Sequence, residues 1–152
     1  KYNMTDISAS FGQWQIQHLK EWHKKRLLIF KAYNDIFSKI EGLYCPRILN
    51  DNEEHAYHLY IIRLDVSMWK IDRNKMIKIL NDYGIGTSVH YTPVHMHSYY
   101  QKKYGFKPYS FPKAKEYSDN VISLPMYPAL TNSEINYIIK TIVKIWEKYK
   151  SI

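Results

Sequence analysis

Between residues 90 and 97 the chain reads His90-Tyr91-Thr92-Pro93-Val94-His95-Met96-His97, which gathers three imidazoles and a phenol around a proline turn. Each of these groups can exchange a hydrogen bond near neutral pH, so together they suit the hydroxyls of a sugar or the oxygens of a phosphate. Side chains where a strand gives way to a turn can project into a cleft. Taken alone, such a histidine is more readily a group satisfied inside its own domain. The spacing His95-x-His97, with His90 near, also invites a zinc reading. It lacks a third and a fourth ligand: Cys45 is far away in sequence, and Asp and Glu are absent from 83 to 115. No metal is expected. At the other end, the Asn3 carboxamide can donate to a phosphate oxygen, or simply satisfy backbone at the start of a helix. Tyr99, Tyr100, Tyr104, Phe106 and Tyr109 could stack nucleic-acid bases. Lysine and arginine do not alternate with them in a stripe, so they read as core and subunit-contact packing.

Helices and strands must position these groups. From Thr5 to about Tyr33, Ile7, Phe11, Trp14, Ile16, Leu19, Trp22, Leu27, Leu28 and Phe30 recur at three- and four-residue steps, which predicts helix capped by Thr5 or Asp6. Such a run extends roughly 45 Å, longer than this chain needs to cover its own core. Its apolar residues occupy much of the circumference, so another domain or subunit should bury it. Gly42 and Pro46 punctuate its end, and 50–54 is a polar loop. Ala56 to Leu64 is aromatic and β-branched and predicts a central strand. Ile71 to Tyr83 predicts an amphipathic helix with Met76, Ile77, Leu80 and Tyr83 on one side, closed by Gly84 in a left-handed cap. Gly86 to Tyr91 predicts a short strand ended by Pro93. A short helix should run from Pro112 to Tyr117 or Asp119, then a strand over Val121–Leu124. Thr131-Asn132-Ser133-Glu134 is a capping-box pattern opening a last helix with Ile135, Ile138, Ile139, Ile142, Ile145, Trp146 and Tyr149 on its apolar face. The fold class that follows is α/β, an α+β layer in which a small sheet is covered by helices.

Composition narrows the function classes. The 152 residues carry 45% hydrophobic and 16% aromatic residues, within the range of one domain with a single core. No stretch approaches the roughly 20 apolar residues of a membrane span, and the first residues do not resemble a secretory signal. One cysteine, Cys45, permits no internal disulfide, so cytoplasm is the expected location. The formal charge of +8 would favour an anionic partner if clustered. The lysines instead recur on helix-like segments among Glu21, Asp72, Asp82, Glu134 and Glu147, and Lys24-Lys25-Arg26 is short. A solvated polar face is the reading, without nucleic acid.

Three stretches together resemble the DegT/DnrJ/StrS-type sugar aminotransferases, a fold-type I family dependent on pyridoxal phosphate (PLP). They are Lys1-Tyr2-Asn3-Met4-Thr5-Asp6-Ile7, the run from Gly84 to His95 containing Val89-His90-Tyr91-Thr92-Pro93, and the run from Ser123 to Glu134 containing Leu124-Pro125-Met126-Tyr127-Pro128. Their order and separation also fit, with His55 to Tyr60 between the first two. The resemblance implies a mainly antiparallel carboxy-terminal small domain over 39–152. Residues 1–38 would be helices linking it to a large domain, and the whole would be a homodimer. It implies that Asn3 contacts the cofactor phosphate, and that Tyr2, His90, Tyr91 and His95 face the substrate. Some members carry Asn-Tyr-Arg where this chain has Lys1-Tyr2-Asn3, which leaves open which of the three touches phosphate.

The family's Schiff-base lysine lies in a Ser-x-x-His-x-x-Lys setting that occurs nowhere in this sequence. The resemblance therefore implies a carboxy-terminal portion, inactive alone. Its parent would use glutamate to convert a nucleotide-linked keto-deoxysugar to an amino sugar for polysaccharide or lipopolysaccharide biosynthesis. One alternative is a sugar dehydratase of the same fold, with histidine in place of the lysine. Another is a non-catalytic binding module. A free-standing basic nucleic-acid binder would instead show steeply salt-dependent retention on DNA.

Overall fold

The computed structural model describes residues 3–48 and 54–151, and its longest element is α1 (Asp6–Phe37), a single helix of 32 residues. Thr5 caps it, its hydroxyl accepting from the Ser8 amide at 3.3 Å. The capped start agrees with the sequence expectation; the end lies four residues beyond Tyr33, because Tyr33 and Phe37 are both wholly buried against the sheet. Only the last third of α1 is buried, by way of Ile29, Phe30, Tyr33 and Phe37. The preceding turns leave Ile7 72%, Phe11 66% and Ile16 71% exposed, so about two thirds of the helix projects as an arm that buries none of its residues and meets the rest of the described fold only near its base, where His23 bonds the His55 carbonyl.

The sheet has the order β1-β2-β3, built from β1 (Leu43–Tyr44), β2 (Tyr60–Leu64) and β3 (Val121–Leu124), all antiparallel. β2 is central, as its composition predicts. On one face Tyr60, Ile62 and Leu64 have no exposed surface. They meet α1, α2 (Arg73–Asp82) and α5 (Asn132–Tyr149) in a single core that includes Met76, Leu80, Ile138 and Ile142. The second face carries Ile61, Arg63 and Ser123, with α4 (Pro112–Asn120) beside it and the Arg63 guanidinium 3.8 Å from Glu116. The arrangement is α/β, a three-stranded antiparallel sheet layered with helices. No helix among the described residues is long and apolar enough to cross a membrane.

Besides the end of α1 and the short strand β1, several boundaries and elements differ from the sequence reading. The central strand begins at Tyr60 rather than Ala56, because the His55 ring accepts from the Tyr57 amide at 3.0 Å and Tyr57 takes φ 49°, which interrupts extended backbone. Asp72 is the cap of α2, not part of it, since its carboxylate accepts from Lys75 N at 2.8 Å. The predicted strand over 86–91 reduces to one bridge, Ser88 with Ser123. Continuing that antiparallel pairing would set Gly86 opposite Pro125, which has no N–H, and His90 opposite Val121, where α4 has only just ended. An unpredicted helix, α3 (Ser98–Tyr104), buries none of its residues and so offered no apolar stripe to read. Its aromatics are surface groups rather than core. Tyr99 is 60% and Tyr104 55% exposed, and Tyr100, Tyr104 and Phe106 stack in sequence at centroid distances of 6.2 and 5.5 Å.

Two turns depend on glycine for different reasons. Gly42 and Gly84 both have φ near +74°, at 74° and 73°, a region that costs other residues about 1–2 kcal/mol. A Cβ on Gly42 would also lie 2.7 Å from the Met68 Cβ and 3.0 Å from the Trp69 indole nitrogen, whose N–H donates to the Gly42 carbonyl at 2.9 Å. Around Gly84 nothing lies within 4 Å. Gly42→Ala should therefore lower the urea midpoint distinctly more than Gly84→Ala; equal losses would refute the close-approach argument.

The capping box of α5 forms as the sequence predicts. The Thr131 hydroxyl accepts from Glu134 N at 3.3 Å, and the Glu134 carboxylate accepts from Thr131 Oγ1 at 2.6 Å and Thr131 N at 2.8 Å. The Thr131 hydroxyl, then its amide, hold the Glu134 carboxyl below the usual carboxylate range. A lowered folded-state value means stabilisation present above the unfolded value of about 4.3 and lost as pH falls through the folded one. The stability advantage of the native chain over Glu134→Gln should thus shrink on acidification below about pH 4.3, as measured by urea unfolding at several pH values.

Candidate functional site

The His90 loop is positioned by an outer rung on β3. Ser88 N donates to the Ser123 carbonyl at 3.2 Å, and Ser123 N donates to the Ser88 carbonyl at 2.8 Å. Two residues on, His90 Nδ1 lies 2.7 Å from Ser123 Oγ. Ser123 is only 4% exposed, so its hydroxyl is a fixed partner rather than a solvated one. Either tautomer uses Nδ1 on Ser123 and leaves Nε2, as donor or acceptor, for a ligand. The Tyr91 ring stands edge-on to His90 at 4.7 Å and is 74% exposed, which leaves its phenol free to address the same space. The His90–Tyr91 peptide bond is cis.

His95 is placed differently. It is 5% exposed, its Nε2 donates to the Pro108 carbonyl at 3.1 Å, and its ring packs 5.0 Å from Phe111. It ties the short 3-10 turn at Val94–Met96 to the one at Pro108–Ser110 and lies in the wall beneath the loop. His97 is exposed at the end of that turn. Among the described residues no group of three or more His, Cys, Asp or Glu is placed to hold a metal ion.

Asn3 is exposed ahead of α1, and the first buried residue of that helix, Ile29, lies roughly 35 Å further along the axis from its start. The chain does not bring Asn3 to His90. Tyr2 falls outside the described residues. Ser123 was not singled out from sequence, although a lone hydroxyl in the apolar strand Val-Ile-Ser-Leu was the available signal.

This donor set suits one side of PLP. An exposed carboxamide can donate its N–H groups to a phosphate oxygen, and an imidazole and a phenol can bind hydroxyls. None of these groups is an amine able to hold an aldehyde covalently, and no lysine lies on the His90 loop.

The sequence profile of the DegT/DnrJ/EryC1/StrS aminotransferases matches residues 1–143. An uncharacterised protein of Methanocaldococcus jannaschii is 41% identical over 145 residues, which is 95% of this chain and 37% of that protein. The spore coat polysaccharide biosynthesis protein SpsC of Bacillus subtilis is 39% identical over 143 residues, 93% of this chain and 36% of SpsC. Among solved structures, Spr1654 of Streptococcus pneumoniae in its PLP-form matches with a TM-score of 0.86 at 33% identity, over 96% of this chain and 36% of that one. The aminotransferase TlmJ of Streptoalloteichus hindustanus matches with a TM-score of 0.84 at 28% identity, over 95% and 37%. The chain spans little more than a third of the length of these relatives. With the profile matched over nearly all its residues, the chain belongs to the DegT/DnrJ/EryC1/StrS aminotransferase family.

Proposed function

We propose that this chain is the carboxy-terminal part of a PLP-dependent aminotransferase. Its parent would convert a nucleotide-linked keto-deoxysugar to an amino sugar, with glutamate as donor, in cytoplasmic polysaccharide or lipopolysaccharide biosynthesis. The observation that carries the reading is the His90–Tyr91 pair, two hydrogen-bonding groups on a loop fastened to β3 through Ser123. In this reading residues 39–152 form the small domain and residues 1–38 lead to the large one.

PLP, when bound, would accept the amino group from the donor and pass it to the keto carbon. The present residues would bind and orient. Asn3 would donate to the phosphate, and its distance from His90 within one chain favours a site shared between two copies. His90 Nε2 and the Tyr91 phenol would hold the sugar hydroxyls or the diphosphate, so that the keto carbon is presented in one orientation. Tyr2 stays with the substrate-facing group. His95 would act through Pro108 and Phe111 by fixing the loop, and is a positioning residue here. The apolar arm of α1 would be covered in a homodimer.

Two outcomes follow. Replacing the matching third of Spr1654 by residues 3–143 should give a chimera whose PLP-form is converted to the PMP-form by glutamate. In it Tyr91→Phe and His90→Ala should each lower kcat/KM for the keto-sugar nucleotide about ten- to a hundredfold, about 1.4–2.7 kcal/mol, while leaving the glutamate half-reaction within about threefold. Substitutions that leave sugar turnover untouched would remove the loop from the site. Separately, the chain by itself should take up no PLP that borohydride can fix; a single stoichiometrically labelled lysine would contradict the assignment of the covalent role elsewhere.

A further inference from the structure

A cavity of about 680 Å³ lies between α1 and residues 54–58, and none of its lining belongs to the His90 loop. Leu19 and Ala56 supply apolar floor, while Lys20, Lys24, Arg26 and His58 supply cationic or hydrogen-bonding groups. His23 also borders it, donating to the His55 carbonyl at 2.8 Å, with Glu54 3.7 Å from its other nitrogen.

Among the described residues these cations have no acidic partner of their own. Lys20 and Lys24 are four apart on one helix face, where like charges repel. On the neighbouring face the helix solves the same problem locally: Lys25 pairs with Glu21 at 2.8 Å. Among the described residues neither Lys20, Lys24 nor Arg26 has a carboxylate within 4 Å, and the only acid of the cavity, Glu54, lies beside His23. Moreover the Arg26 Nε is buried and finds no acceptor among the described residues. A guanidinium N–H without a partner costs free energy, and a turn of the side chain toward the cavity would let an anionic oxygen satisfy it. Two lysines and an arginine converging on one concavity exceed the need of a single carboxylate. The volume sits in the range of small-molecule sites and is far larger than a phosphate group, so the apolar floor has room for an organic remainder.

We infer that this cavity is a second anion site, for a phosphorylated organic molecule of about the size of a nucleoside diphosphate, separate from the His90 loop. Lys20, Lys24 and Arg26 take the phosphate oxygens, Arg26 by a bidentate contact that lysine cannot reproduce. Leu19 and Ala56 take the apolar part. Arg26 also borders a smaller groove with Trp22, Lys25 and Tyr127, and Lys25 therefore serves as the control for which side of Arg26 binds.

The test is titration of the full chain with ADP, inorganic pyrophosphate and adenosine by calorimetry and amide NMR at 0.15 M salt. ADP should bind saturably, one per chain, more tightly than pyrophosphate, with amide shifts at 19–26 and 56–58 and none at 88–91. Lys24→Gln and Lys20→Gln lie on exposed positions that the fold does not need, and each should weaken ADP at least about fivefold. Arg26→Lys should do so more strongly, and Lys25→Gln and Lys144→Gln should leave it unchanged. Unsaturable binding, pyrophosphate or adenosine matching ADP, shifts centred on 88–91, or indifference to Lys24→Gln would each overturn the assignment. Because the shifts are read away from His90 and Tyr91, its failure leaves their proposed substrate-binding role standing, and the reverse also holds.

Discussion

The contact between the last turns of α1 and the central strand fixes the direction of everything that leaves the sheet. Phe30, Tyr33 and Phe37 pack around Tyr60 with ring centroids 5.3, 4.9 and 6.3 Å away. Both phenols within this cluster are spoken for: Tyr60 donates to Asn34 Oδ1 at 2.6 Å, Tyr33 to the Pro125 carbonyl at 3.1 Å. Burial pushes both hydroxyls well above the usual tyrosine range, so they stay neutral donors at any pH the fold survives. The first bond closes helix onto strand, and the second fastens the turn after β3. Since the His90 loop rests on β3 two residues earlier, at Ser123, the same cluster sets the angle between the arm and the loop.

Burial governs how much of this could be read from the residues. The covered end of α1, the central strand and α5 each carry a periodic apolar pattern because one face is fully desolvated, and each stood out in the sequence. α3 has no desolvated face, and β1 is two residues long, so neither leaves a periodicity to find. The strand expected over 86–91 failed for a longer-range reason, the absence of a donor at Pro125 and the short reach of β3, which become visible only when register is known. The same division holds at the site. Residue type and the turn that follows draw attention to His90 and Tyr91, but only the resemblance sets them toward a substrate; the inward commitment of His95 to Pro108 depends on a partner thirteen residues away. Ser123, which holds His90 Nδ1, looks in sequence like a minor interruption of an apolar strand.

The His90 loop and the cavity beside α1 differ in electrostatics. The His90 loop offers hydrogen-bonding groups on a segment without acids, so in the proposed role its selectivity would come from the direction of hydrogen bonds more than from attraction. The cavity beside Lys20 and Lys24 offers surplus charge, which attracts broadly and discriminates weakly unless geometry is added by Arg26. A chain with a formal charge of +8 can place that surplus anywhere on its helices. Here part of it lies where α1 faces 54–58, while Glu21 is paired with Lys25 on the adjoining face.

The arm raises the remaining energetic question. Its own local interactions are few: the Glu21–Lys25 pair and the adjoining Trp14, His18 and Trp22 rings, with Gly12 a weak helix former among them. Pairs of this kind contribute only about 0.2–0.5 kcal/mol each, against the backbone entropy of more than twenty ordered residues. Burying a side chain such as Ile7, Phe11 or Ile16 contributes about 1.5–3 kcal/mol. Covering three of them therefore outweighs all the local pairs together, and in the arrangement proposed here a facing subunit supplies that cover. On this argument the helix is continuous because its covered end is anchored by Tyr33 and Phe37, and its exposed end is apolar because its main stabilisation comes from outside the chain.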